Sequence, residues 1–179
     1  RPVISVFIGG GTPSLLEPEA VDALLSAVRA RLTLLPDAEI TLEANPGTVE
    51  AGRFAAFRAA GVNRLSIGVQ SLNPRHLAAL GRIHDAGEAR RAIEFALQHF
   101  DNVNLDLMYA LPGQTLEEAR SDIREAAAFG TSHLSAYHLT LEPNTAFYRA
   151  PPPLPDADLA AQMQDTVEEA LAAHGYGHY

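Results

Sequence analysis

The run Arg64-Leu65-Ser66-Ile67-Gly68-Val69, closed by Gln70-Ser71, decides the fold. It is short and nearly continuous in apolar character, as strands covered on both faces of a parallel sheet are. Similar runs fall at Val3–Ile8, Glu39–Glu43, Val103–Met108 and His133–Leu139. Between them the apolar period changes to that of a helix. Pro18–Leu32 sets Ala20, Val21, Leu24, Leu25 and Val28 on one stripe, Val49–Ala60 gathers Phe54, Phe57 and Ala60, and Ala86–Phe100 carries Ile93, Phe95, Ala96 and Leu97. Leu116–Phe129 is opened by Thr115 as N-cap with Glu118 as its capping-box partner, and Asp156–Ala173 ends at Gly175. Strands alternating with helices in this way predict an α/β fold with a parallel sheet and right-handed crossovers.

The bulk composition narrows the class. With 179 residues, 47% hydrophobic and 20% charged, the chain can bury one sizeable core. No apolar run approaches the roughly 20 residues of a membrane span, and no signal-peptide layout opens the chain. The expectation is a cytoplasmic protein without an integral membrane segment. A net charge of -9 disfavours a nucleic-acid surface. There is no cysteine, so neither a disulfide framework nor a thiolate-held metal can be built from these residues. The chain opens at Arg1 on the verge of a strand and stops at Gly177-His178-Tyr179, and both ends read as cuts through a longer fold. The prolines at 151, 152, 153 and 155 read as a short stiff link into the last helix. Neither a His-Glu-x-x-His nor a Gly-x-Ser-x-Gly motif occurs, which disfavours a zinc hydrolase and an α/β-hydrolase.

In parallel α/β folds, ligands bind at the carboxyl ends of the strands. After the first strand comes Gly9-Gly10-Gly11-Thr12-Pro13-Ser14, a turn whose backbone can approach a ligand closely. It matches neither the phosphate loop nor the dinucleotide fingerprint, and alone it reads equally as a tight turn capped by Thr12 or Ser14. Glu43 closes the second strand and would be costly to bury unpaired, although it too could cap a neighbouring turn. Gln70 closes the third strand and is suited to hydroxyls or a carboxylate. Asp106 alternates with Leu105 and Leu107 in the fourth, and the fifth runs into Tyr137-His138-Leu139-Thr140. Arg82, in Gly81-Arg82-Ile83-His84, offers a cation for a carboxylate. A glycine turn, a Glu, a Gln and an Asp at successive strand ends form the pattern of a site. Tyr137 and His138 read as interior side chains, with a position facing the substrate cavity as the alternative.

The ordered blocks Phe7–Leu16, Glu43-Ala44-Asn45-Pro46, Gly61–Ser71, Leu80–His84, Asn104–Thr115 and His138–Thr145 resemble the oxygen-independent coproporphyrinogen oxidase / HemW family of radical-SAM proteins, over essentially the whole chain. The resemblance implies a partial (β/α)6 TIM-like barrel with strands two to six present, so that residues 1–179 would be a fragment of the radical-SAM core domain. It implies S-adenosylmethionine as cofactor beside a [4Fe–4S] cluster whose cysteine ligands lie outside this chain. A cluster electron would cleave the adenosylmethionine to a 5′-deoxyadenosyl radical, and this fragment alone is expected to be inactive. Carried over residue by residue, Gly10, Gly11 and Thr12 would hold the methionine amino group. Glu43 would meet the amino or ribose region, and Gln70 and Asp106 the ribose hydroxyls or the carboxylate edge. Arg82 would pair with the carboxylate, and Thr140 would lie against the adenosine.

The implied partners are adenosylmethionine, a tetrapyrrole, a reductant protein and, on the chaperone reading, a heme-acceptor protein, with heme itself as a further ligand. Leu139–Thr145 and Gly113-Gln114-Thr115 favour the heme-chaperone branch. The alternatives are an oxidative decarboxylase converting coproporphyrinogen III to protoporphyrinogen IX, and a cluster-free nucleoside-binding module.

Overall fold

The computed structural model describes residues 1–48 and 51–179. Five strands, β1 (Val3–Ile8), β2 (Leu34–Ala44), β3 (Arg64–Gln70), β4 (Val103–Tyr109) and β5 (His133–His138), form one sheet in the order β1-β2-β3-β4-β5. The register of β1 with β2 and of β2 with β3 is parallel. The helices are α1 (Pro18–Arg31), α2 (Ala51–Ala60), α3 (Pro74–Ala79), α4 (Ala86–His99), α5 (Leu116–Ala128), α6 (Ala146–Arg149) and α7 (Ala157–Ala173). This is the expected α/β fold. The start expected for the second helix at Val49 and Glu50 lies outside the described residues. The sequence reading missed two short helices, α3 and α6, each opened by a local cap: Asn73 accepts from the Arg75 N–H, and Thr145 from the Tyr148 N–H.

Two compact units share these elements. The first comprises residues 1–68, 87–105 and 131–133, and the second residues 69–86, 106–130 and 134–179. In the first, Ile40, Leu42, Leu65, Ile67, Val103 and Leu105 from the strands are buried with helix residues Leu25, Phe54, Phe57 and Ile93. Phe54 and Phe100 meet edge to face at 6.2 Å and 82°. Asn63 bridges to β2 with both ends of its amide, accepting from the Ile40 N–H and donating to the Ala38 carbonyl. In the second unit, Val69, Leu107, Leu111 and Leu139 are buried, and helix residues Ile123, Met163 and Val167 are buried on the α5–α7 pair.

Two expectations change. The sequence predicts β1 to be buried on both faces, yet Ile4 and Phe7 are 70% and 60% exposed, and among the described residues β1 is the first strand of the sheet, paired with β2. β2 begins at Leu34 rather than Glu39. Its register against β1 slips between Val3, opposite Leu34, and Ser5, opposite Glu39. Pro36 lies inside the slipped stretch, where a residue without a ladder donor is tolerated, and it masked the strand in the sequence.

Candidate functional site

The eight candidate residues divide between the units: Gly10, Gly11, Thr12 and Glu43 in the first, Gln70, Arg82, Asp106 and Thr140 in the second. In the first unit, β1 delivers the chain into the glycine turn and β2 delivers Glu43 beside it. Gly10 and Gly11 take φ of +87° and +59°, and nothing stands within 4 Å of where a Cβ would project from either. The turn therefore presents bare backbone to open space, which suits close approach by a ligand. At Gly9 a Cβ would lie 2.6 Å from the exposed Phe7 ring, which would have to shift to admit it.

The Gly10 N–H donates to Glu43 Oε2 at 3.0 Å, and Asn45 donates to Thr12 Oγ1 at 3.4 Å. Glu43 thus tethers the glycine turn, the modest role that the sequence left open for it. A carboxylate has further lone pairs, so this tether leaves capacity for a ligand cation. The helical turn after Thr12 has no side-chain cap from it.

In the second unit, Gln70 ends β3 at φ +68° and Ala110 follows β4 at φ +58°, a left-handed backbone that non-glycine residues rarely take. Gln114 Oε1 accepts from the Leu111 N–H at 3.1 Å, while its Nε2, also buried, has no hydrogen-bond partner among the described residues. Arg82 is half-buried, and burial lowers its guanidinium from the ordinary arginine value, although an arginine stays charged. Its loop is tied to β3 by His84, whose Nε2 lies 3.2 Å from the Val69 carbonyl. Asp106 is half-buried on β4, between Leu105 and Leu107, which are buried. Thr140 is exposed and donates its hydroxyl to Glu142 at 2.8 Å. Tyr137 and His138 are exposed rather than interior; the His138 ring meets Tyr109 edge-on at 5.5 Å.

The sequence reading missed a polar cluster between α3 and α5. Asp122, buried on the α5 stripe of Ala119, Ile123 and Ala126, accepts from the Ser71 hydroxyl at 2.6 Å and the Leu72 N–H at 2.9 Å. An acidic residue inside an apolar helical stripe was the signal that could have found it. Close by, Glu118 completes the Thr115 capping box and pairs with Arg75. Burial would raise the Glu118 carboxyl, but bonds from the Thr115 N–H, Arg75 and the Thr115 hydroxyl outweigh it and hold it at about 2. His76 is fully buried. Its Nε2 stands 3.6 Å from Glu118, too far for a hydrogen bond, and neither ring nitrogen has a hydrogen-bond partner among the described residues. Burial lowers the His76 imidazole, against the pull of Glu118. A cleft of about 410 Å³ lined by Asn73, Glu117, Glu118, Ser121 and Asp122, among others, belongs to this cluster, and none of the eight candidates lines it. No group of three metal-ligating side chains occurs among the described residues.

The glycine turn after the first strand and the polar residues on the later strands belong to an α/β fold of the parallel type, a class in which ligands bind outside the carboxyl ends of the strands. Residues 1–126 match the Radical SAM superfamily profile, and the chain belongs to that superfamily. It is 54% identical to the Escherichia coli heme chaperone HemW, covering 100% of this chain and 48% of that protein. It is 44% identical to the mouse mitochondrial radical S-adenosyl methionine domain-containing protein 1, over 99% of this chain and 41% of the relative. The solved structure of Escherichia coli coproporphyrinogen III oxidase, HemN, described as a radical SAM enzyme, superimposes with a TM-score of 0.87 at 29% identity, over 99% of this chain and 42% of that one. The chain spans about half the length of the curated relatives it matches. No helix among the described residues is long and apolar enough to cross a membrane.

Proposed function

We propose that residues 1–179 are the adenosylmethionine-binding core of a HemW-like heme chaperone working in the cytoplasm, with heme-acceptor and reductant proteins as partners. The observation that supports it best is the 54% identity to a heme chaperone across the whole chain, against 29% to the coproporphyrinogen oxidase.

The residues present fit adenosylmethionine. Its ammonium calls for oxygen acceptors, and the bare backbone at Gly10 and Gly11, the Thr12 hydroxyl and the Glu43 carboxylate supply them. Its carboxylate calls for a guanidinium, which Arg82 supplies. Its ribose hydroxyls call for mixed donors and acceptors, the chemistry of Gln70 and Asp106, and Thr140 would lie against the adenosine. A [4Fe–4S] cluster does not fit these residues, because its thiolate ligands cannot come from a chain without cysteine. When bound in this superfamily and given one electron, adenosylmethionine would supply methionine and a 5′-deoxyadenosyl radical, which becomes 5′-deoxyadenosine on taking a hydrogen atom.

The test uses the full-length protein, reconstituted anaerobically with iron and sulfide. Heme titration followed by transfer to an apo-hemoprotein should succeed, while coproporphyrinogen III should not be converted to protoporphyrinogen IX. The opposite pair of results makes the protein a decarboxylase. Gln70→Ala and Asp106→Ala should each weaken adenosylmethionine binding by about three- to tenfold, the loss expected for one hydrogen bond. Unchanged binding in both would remove these residues from the site.

A further inference from the structure

Gln70 holds a backbone conformation that glutamine does not take unaided. At φ +68° it is spanned by a hydrogen bond from the Ser71 N–H back to the Val69 carbonyl, at 2.9 Å. A bond across a single residue of positive φ is the rare, strained kind of γ-turn. Glycine would relieve that strain, yet the position carries a long polar side chain. Such outliers persist only where the surroundings over-determine them, and they gather at ligand sites.

The surroundings here are specific. Asp122 reaches the turn from α5 with both oxygens: one accepts from the Ser71 hydroxyl at 2.6 Å, the other from the Leu72 N–H at 2.9 Å. The Ser71 oxygen accepts in turn from the Asn73 N–H at 3.0 Å. On the other side of Gln70, His84 Nε2 lies 3.2 Å from the Val69 carbonyl that closes the turn. The carbonyl that closes the turn is therefore held from the loop after α3, and the Ser71 side chain and the Ser71–Leu72 peptide that leave the turn are held from α5. Asp122 is only 5% exposed, and a carboxylate there is retained at a desolvation cost that an apolar neighbour on the same helical stripe would not carry.

We propose that Asp122, through Ser71 and Leu72, is a positioning residue that locks the Gln70 γ-turn and so aims the Gln70 side chain at the ligand. This rests on the reading of Gln70 as an adenosylmethionine contact and adds to it the element that sets its direction. A tie that merely joins α5 to the end of β3 would stabilise the protein without acting through Gln70, and a double-mutant cycle separates the two.

The experiment measures adenosylmethionine affinity by calorimetry, together with thermal unfolding, on the full-length protein with its cluster reconstituted. The variants are Gln70→Ala, Asp122→Asn and the two combined. Asp122→Asn keeps an acceptor for Leu72 but turns a donor toward Ser71. With Gln70 present, Asp122→Asn should weaken binding by about three- to tenfold, as loss of one aligned hydrogen bond would. With Ala at position 70 it should change binding by less than about twofold, because the side chain through which Asp122 acts is gone. Equal losses in the two backgrounds, or no loss in either, overturn the proposal and leave Gln70 as a contact. If Gln70→Ala alone leaves affinity unchanged, the reading of Gln70 fails and the proposal falls with it. Should Asp122→Asn fail to fold, Ser71→Ala, which removes one bond of the clamp, takes its place in the same cycle with the same outcomes.

Discussion

His76 shows what a single residue can hide from a sequence. Its neighbours in the chain are ordinary for a short helix, but the ring is wholly buried, and among the described residues neither nitrogen is hydrogen-bonded. The groups facing it are Glu118 and Asp122 of α5 and Arg75 of its own helix, and burial outweighs the attraction of the two carboxylates. The folded state therefore holds His76 neutral at a pH where the unfolded chain already binds a proton. Because the folded value is lowered below 6.5, stability falls as pH drops below about 6.5, by at most about 1.4 kcal/mol per pH unit for one group. His76→Leu should flatten the decline in unfolding temperature between pH 7 and 5.5. A slope identical to wild type would mean that His76 is not the group responsible. Glu118, held at about 2 from an ordinary 4.5, acts in a lower range: its contribution is whole above about 4.5 and is lost as pH falls from there through about 2. Glu43 and Gln70 near strand ends and Asp106 in mid-strand were legible, because each interrupts an apolar run. Their partners were not, since the bonds from Gly10 to Glu43 and from Ser71 to Asp122 join residues 33 and 51 positions apart.

At the scale of elements, sequence patterns succeeded where the signal is local. The capping box at α5 was readable from Thr115 and Glu118 alone, and both reciprocal bonds form. Thr115→Ala removes the oxygen that accepts from the Glu118 N–H and loosens the carboxylate that also binds Arg75. It should cost about 1 kcal/mol of stability, at the centre of the range for lost N-caps, measured by urea unfolding. A change below about 0.3 kcal/mol would show that Arg75 and the Thr115 N–H suffice to hold Glu118, the lower end expected for an exposed cap. The elements that escaped were those without periodicity. Helices α3 and α6 are too short to show a 3.6-residue stripe, and the first part of β2 is disguised by Pro36 and by a register slip that no single-strand pattern encodes. The γ-turn at Gln70 escaped for a related reason: a positive φ is announced in sequence by glycine or asparagine, and here a glutamine adopts it under tertiary constraint.

For the whole molecule, the parallel sheet follows from the alternation of apolar runs and helices, but burial of the individual strands does not. The runs at β1 and β3 look alike in sequence, yet Leu65, Ile67 and Val69 are fully buried while Ile4 and Phe7 stand in solvent. The two strands also differ in sheet order: among the described residues β3 has neighbours on both sides and β1 has β2 on one. A strand with an open edge and large apolar side chains is a template for pairing with another chain. A net charge of -9 opposes such pairing between identical copies, and salt screens that repulsion within about 10 Å at 0.1 M. The 179-residue chain should therefore self-associate in a concentration-dependent way, more strongly at high salt than at low. Ile4→Lys and Phe7→Lys, each placing a charge on β1, should suppress that association while leaving far-ultraviolet circular dichroism unchanged. Light scattering across a salt series reads the effect directly. Association that persists unaltered in both variants would move the contact away from β1 and leave the exposure of Ile4 and Phe7 without consequence for the isolated chain.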